Sequence, residues 1–78
     1  MLSSLNIRHM RVFVAVAEQG SFSAAAAALG LGSPAITATI RQFEDVTGAA
    51  LFDRTTRHVS LTVTGGRFLP IARRLIGD

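Results

Sequence analysis

Glycines at positions 20, 30, 32 and 48 cut the N-terminal part of this chain into three segments, each with the periodicity of a short helix. Such a chain cannot form one long helix. It forms a small bundle whose helices are joined by tight turns. From Ile7 to Glu18, the residues Met10, Phe13, Val14 and Ala17 recur at three and four, the spacing of one buried helix face. Gly20 then supplies a C-terminal cap. Ser21 or Ser23 can cap a second, short helix through Leu29. Its alanines, Ala24 to Ala28, favour helix and let a neighbour approach closely. After the break at Gly30-Leu31-Gly32, Ser33-Pro34 opens a third helix, with serine as its expected N-cap and proline in its first turn. Ile36, Ile40 and Phe43 share one face, continued by Val46 or Thr47, while Pro34, Ala38, Arg41, Gln42 and Asp45 point the other way.

Beyond Gly48, residues 51–54 and 59–61 read as two short strands around a polar turn. Thr62 is a candidate N-cap for a last helix with the stripe Phe68, Leu69, Ala72, Leu75 and Ile76. Pro70 lies inside it and is expected to bend or weaken it locally. The expected fold is therefore mainly α: a winged helix-turn-helix with three helices, a two-stranded wing and the start of a further helix.

Composition excludes several classes of function. A chain of 78 residues is one domain at most. It has no cysteine, so disulfides and thiolate metal sites are ruled out. His9 and His58 have no ligand-spaced partners and read as ordinary surface or boundary histidines, so no metal and no cofactor is expected. Glu18, Glu44, Asp45, Asp53 and Asp78 form no pairing with a histidine that suggests acid–base chemistry, and an enzyme is not expected. Charged or polar residues interrupt every apolar run, so no membrane span is expected. The start, Met-Leu-Ser-Ser-Leu-Asn, lacks the regions of a secretory signal, which makes cytoplasmic residence the expectation.

The formal net charge of +3 gives weak support for a polyanionic partner, so the placement of the arginines carries the argument. Two short helices around a glycine turn can form a helix-turn-helix whose second helix enters the major groove of double-stranded DNA. The N-terminal residues of that helix would then face base edges. In the hairpin, Arg54 and Arg57 can track phosphates or enter the minor groove, and His58 lies next to them. A winged module used only for protein contact is the competing class. The grouping of Arg41, Arg54 and Arg57 favours DNA.

These residues resemble the opening domain of LysR-type bacterial transcription regulators. The likeness runs through residues 13–23, Ala25-Ala26, Leu29, residues 33–37 and residues 40–44. Gly48, residues 51–54, Leu61-Thr62 and Gly65 complete it. The resemblance implies a winged helix-turn-helix over residues 1–62, with the helix pair at about 22–41 and the wing at about 51–61. Residues 63–78 would begin a linker helix that pairs two chains into a homodimer through Phe68, Ile71, Ala72 and Leu75. A small-molecule effector would bind only in a C-terminal domain that these residues do not contain. The resemblance also implies that Pro34, Thr37 and Arg41 face DNA, with Ser23, Gly32, Ser33 and Ala38 at neighbouring DNA-binding positions, although Gly32, Ser33 and Ala38 depart from the family's usual serine, glutamine and long polar residue. Small side chains cannot make the bidentate base contacts of glutamine or arginine, so direct base readout is expected to be thin.

Overall fold

The computed structural model describes residues 6–54 and 58–77. Its elements follow the glycine punctuation: α1 (Ile7–Gln19), α2 (Phe22–Leu29), α3 (Ser33–Thr47), β1 (Phe52–Asp53), β2 (Ser60–Leu61) and α4 (Val63–Leu75). Gly20, Gly30 and Gly48 end the first three helices in the left-handed conformation, with φ of 68°, 69° and 71°. Only glycine adopts this readily, and each N–H returns to the last turn of its helix.

The helix starts are built differently from one another. Asn6 caps α1 by accepting the N–H of His9, and the His9 ring accepts the Asn6 N–H in return. This is a capping box with histidine in the role usual for glutamate. Ser21, not Ser23, caps α2, its Oγ accepting the Ala24 N–H at 3.1 Å. The expected cap at Ser33 is corrected: Gly32 is the N-cap of α3 and supplies no side-chain cap. Ser33 lies one residue inside the helix, because Gly32 takes the extended conformation that an N-cap needs. Thr62 caps α4 as expected, its Oγ1 accepting from Gly65 at 3.0 Å.

The strands are shorter than expected, pairing antiparallel as Phe52 with Leu61 and Asp53 with Ser60. The wing is tied into the body from both sides. Val59 donates to the Gly20 carbonyl at 3.3 Å, and Thr62 donates to the Leu51 carbonyl at 3.1 Å.

All five phenylalanines meet in one cluster, one each from α1, α2, α3, β1 and α4. Phe13 stands at its centre, with ring centroids 5.4 Å from Phe43, 5.3 Å from Phe52 and 5.9 Å from Phe68. Phe22 joins through Phe52 at 6.1 Å. The buried face of α1 is broader than the expected stripe: Val12 and Val16 are buried with Phe13, whereas Ala17 is half-buried.

The helix α4 runs without a break through Pro70. Pro70 and Gly66 are exposed, so water can satisfy the Gly66 carbonyl that loses its partner. The α4 stripe divides between two roles. Ala72 is fully buried in the core of its own chain, and Phe68 stacks edge-on against Phe43 at 5.2 Å. Ala72, expected at a chain–chain interface, thus has no surface left to offer one, while Phe68 keeps part of its surface accessible. Ile71 and Leu75 lie outside, 48% and 55% exposed.

The start of α4 sits directly on the chain before β1. A Cβ placed on Gly65 would overlap the Leu51 carbonyl oxygen and come within 2.9 Å of Leu61 Cδ2. Gly66, one residue on, faces open space. Gly65→Ala is therefore expected to destabilise the fold by roughly 2 kcal/mol or more through overpacking. Gly66→Ala should stabilise it by up to about 1 kcal/mol through helix propensity. Urea unfolding of the two variants measures this, and equal effects would refute the close approach.

Candidate nucleic-acid interface

The chain turns through 108° between α2 and α3. That angle belongs to a helix-turn-helix, in which the second helix is free along its outer face. Ile36, Thr39, Ile40 and Phe43 anchor α3 inward. As a result Ser33, Pro34, Thr37, Ala38 and Arg41 line one open depression on the outer side. Five residues that the sequence singled out thus come together on one surface. Ser33 has no capping duty, so its hydroxyl projects from the first turn of α3. With Gly32 offering no side chain, the start of α3 lacks the protein cap that would otherwise occupy its first-turn N–H groups. Such a helix start suits an anion. Ser23 is exposed on α2, with its Oγ 3.1 Å from the Ser21 Oγ.

The wing is held to α3 by one carboxylate. Glu44 Oε2 accepts the Leu51 N–H at 2.8 Å and the Phe52 N–H at 3.4 Å. Its Oε1 accepts from Arg54 Nη2 at 3.3 Å. The Arg54 guanidinium also lies over the Phe22 ring, 4.9 Å from its centroid. Arg54, expected at phosphate or in the minor groove, is thus first of all a clamp between α2, α3 and β1. Its side chain keeps 38% of its surface accessible. His58 is exposed in the wing. Arg57 lies outside the described residues.

His9 was expected to be an ordinary surface or boundary residue and is instead buried. Its ring stands edge-on to Phe43 with centroids 6.2 Å apart, and its Nε2 reaches Gln42 Oε1 on α3 at 3.2 Å. Asn6, His9 and Gln42 therefore form a hydrogen-bonded chain from the start of α1 to the outer face of α3. The Asn-x-x-His spacing could have signalled the cap. Nothing local could have signalled the link to Gln42, thirty-three residues away. Glu44 was likewise invisible as a wing anchor, because its partners follow a turn.

Among the described residues, no three His, Asp or Glu side chains gather to hold a metal. No single helix there is long and apolar enough to cross a membrane.

Comparison with known proteins bears on what this surface does. The sequence pattern of the bacterial regulatory helix-turn-helix protein, lysR family, matches residues 7–66. Over 77 residues the chain is 43% identical to the HTH-type transcriptional regulator PtxR of Pseudomonas aeruginosa, covering 99% of this chain and 25% of that protein. It is 46% identical over 72 residues to the HTH-type transcriptional regulator ClcR of Pseudomonas putida, covering 92% of this chain and 24% of that protein. The chain thus spans about a quarter of the length of these curated relatives. Among solved structures it resembles the BenM DBD in complex with benA site 1 DNA, with a TM-score of 0.89 and 36% identity, over 92% of this chain and 81% of that one. It also resembles the CbnR DBD–DNA complex, with a TM-score of 0.88 and 38% identity, over 92% of this chain and 83% of that one.

The Glu44 clamp has a measurable consequence. Glu44→Ala strands the Leu51 N–H and releases Arg54, and should cost about 1.5–3 kcal/mol, the range for hydrogen bonds to a charged group. Glu44→Gln keeps an acceptor for Leu51 and should cost less. Urea titration of both variants checks the order, and an unperturbed Glu44→Ala would contradict the clamp.

Proposed function

Because this chain belongs to the LysR family of bacterial regulatory helix-turn-helix proteins, we propose that it binds double-stranded DNA and controls transcription, with α3 in the major groove and the wing on the backbone or minor groove. The observation that carries this reading is the outer face of α3. Ser33, Pro34, Thr37, Ala38 and Arg41 form one open surface on a body that matches, at a TM-score of 0.89, a chain solved in complex with DNA. Gly32 and Ser23 border that surface. Arg54 offers the side of its guanidinium that Glu44 leaves open, and Arg57 and His58 complete the wing's contribution.

Affinity on this reading comes mainly from phosphates. Arg41 and the wing arginines supply charge, while Ser33, Thr37 and Ala38 offer few groups for base edges. Thr37 can give its methyl group to a thymine methyl, and DNA shape carries part of the selectivity. Residues 1–62 form the DNA-binding unit, and residues 63–78 begin the linker helix. Ile71 and Leu75 on the outer side of α4 supply apolar surface for a homodimer, which places two α3 helices on one side of a duplex. An effector would act on another part of the whole protein. A DNA partner supports the reading that the chain works in the cytoplasm.

Fluorescence anisotropy with labelled duplexes across a salt series tests the reading. Arg41→Ala and Arg57→Ala should each weaken binding to every duplex and reduce the salt slope by about 1. Ala38→Arg should strengthen binding to any duplex and add a preference for guanine. An unchanged salt slope in both alanine variants would refute the assignment.

The α4 proposal is tested separately by sedimentation equilibrium. The chain should show a weak, concentration-dependent dimer that Leu75→Glu abolishes. A strict monomer that binds a two-half-site duplex without cooperativity would rule the dimer out.

A further inference from the structure

Beside the α3 surface lies a second, more polar cleft between the start of α1 and the middle of α3. Arg8 and His9 form one wall, and Ala35, Ala38, Thr39 and Gln42 the other. Ala38 belongs to both depressions, so the cleft opens directly onto the face proposed for the major groove. Gln42 stands one helical turn beyond Ala38 and is exposed, as is Arg8.

The chemistry of Gln42 is fixed by a buried neighbour. The Gln42 amide oxygen lies 3.2 Å from His9 Nε2, and an amide oxygen can only accept, so Nε2–H is the donor of this bond. The other ring nitrogen, Nδ1, lies against Asn6, 3.0 Å from its Oδ1 and 3.3 Å from its backbone nitrogen. The amide oxygen is therefore occupied within the protein, and only the NH2 group remains to face outward. A glutamine in this state cannot read adenine, because bidentate recognition needs both its donor and its acceptor. It is a pure donor, and across the cleft stands a second one, the Arg8 guanidinium.

We infer that Arg8 and Gln42 together grip one phosphate of the DNA backbone flanking the groove that α3 occupies, with His9 as the positioning residue that turns the Gln42 amide outward. Two donor groups facing one cleft suit a phosphate and give no base selectivity. The contact compensates for the thin readout of α3: it adds affinity and register on any sequence. It also links the α1 start to α3 through a bond that spans thirty-three residues. This inference rests on the DNA-binding reading above.

Anisotropy titrations of the whole chain with two unrelated duplexes over a salt series provide the test, with the thermal melt of each variant recorded alongside. Arg8→Ala should weaken binding to both duplexes and lower the salt slope by about 1, as for one lost phosphate contact. Gln42→Ala is a surface change. It should weaken binding to both duplexes about fivefold, the scale of one neutral hydrogen bond, without altering the salt slope. In a chain carrying His9→Leu, adding Gln42→Ala should have less than half that effect, because the amide is no longer held. A Gln42 that serves only to tie α1 to α3 would shift the melt and leave affinity untouched. If Gln42→Ala and Arg8→Ala bind like the parent while Arg41→Ala binds weakly, the phosphate grip is wrong and the DNA reading stands. A Gln42→Ala loss confined to one duplex would also overturn the grip, since it would mean base contact. If the parent chain shows no salt-dependent binding to either duplex, both readings fall.

Discussion

The position of every element depends on the packing around Phe13. Its ring touches Phe43 of α3, Phe52 of β1 and Phe68 of α4, and Phe52 passes the contact on to Phe22 of α2. Each such pair contributes about 0.5–1.5 kcal/mol beyond the area it buries. The geometric effect matters more than the sum. A ring fully buried on α1 fixes the depth of α3, of the wing and of α4 at once. Among the described residues of this small domain, the buried side chains form one core cluster, and that cluster is centred on this ring. The 108° turn between α2 and α3 follows from this packing together with Gly30 and Gly32.

Polar contacts refine what the rings set up. Glu44 brings the chain entering β1 onto α3, and Arg54 closes the clamp over Phe22. Asn6 and His9 do the corresponding work at the start of α1, against Gln42. The outer side of α3 thus lies between two anchored flanks, each joined to it by a hydrogen-bonded side chain. Such an arrangement keeps a recognition surface rigid even where its own side chains are small. By contrast, the Arg73–Glu18 pair, at 3.3 Å on the surface, has both side chains more than 40% exposed and contributes little.

Much of this was legible in the sequence, for local reasons. Gly20, Gly30 and Gly48 announce helix ends because the left-handed conformation they adopt is costly for other residues. The inward face of α3 and the cap at Thr62 follow from spacing and residue type. The cap of α3 was misplaced by one residue, because serine before proline is as good a signal at the first helical position as at the cap. The α4 stripe was read correctly as apolar. Its division into Ala72 inside and Leu75 outside depends on where α1 crosses it, which spacing along α4 does not specify. The roles of His9, Glu44 and Gln42 arise from partners on other elements, and Gly65 is required by the Leu51 backbone.

The central claim is that the outer face of α3, flanked by the wing and the α1 cleft, is the surface that meets DNA. Backbone amide chemical-shift mapping of the isotopically labelled chain, titrated with duplex DNA, tests it most directly. The account predicts the largest shifts in residues 32–42, in the wing around Arg54 and His58, and at Arg8, with the outer side of α4 near Arg67 and Arg74 little changed. Shifts confined to α4, with the α3 face silent, would contradict it.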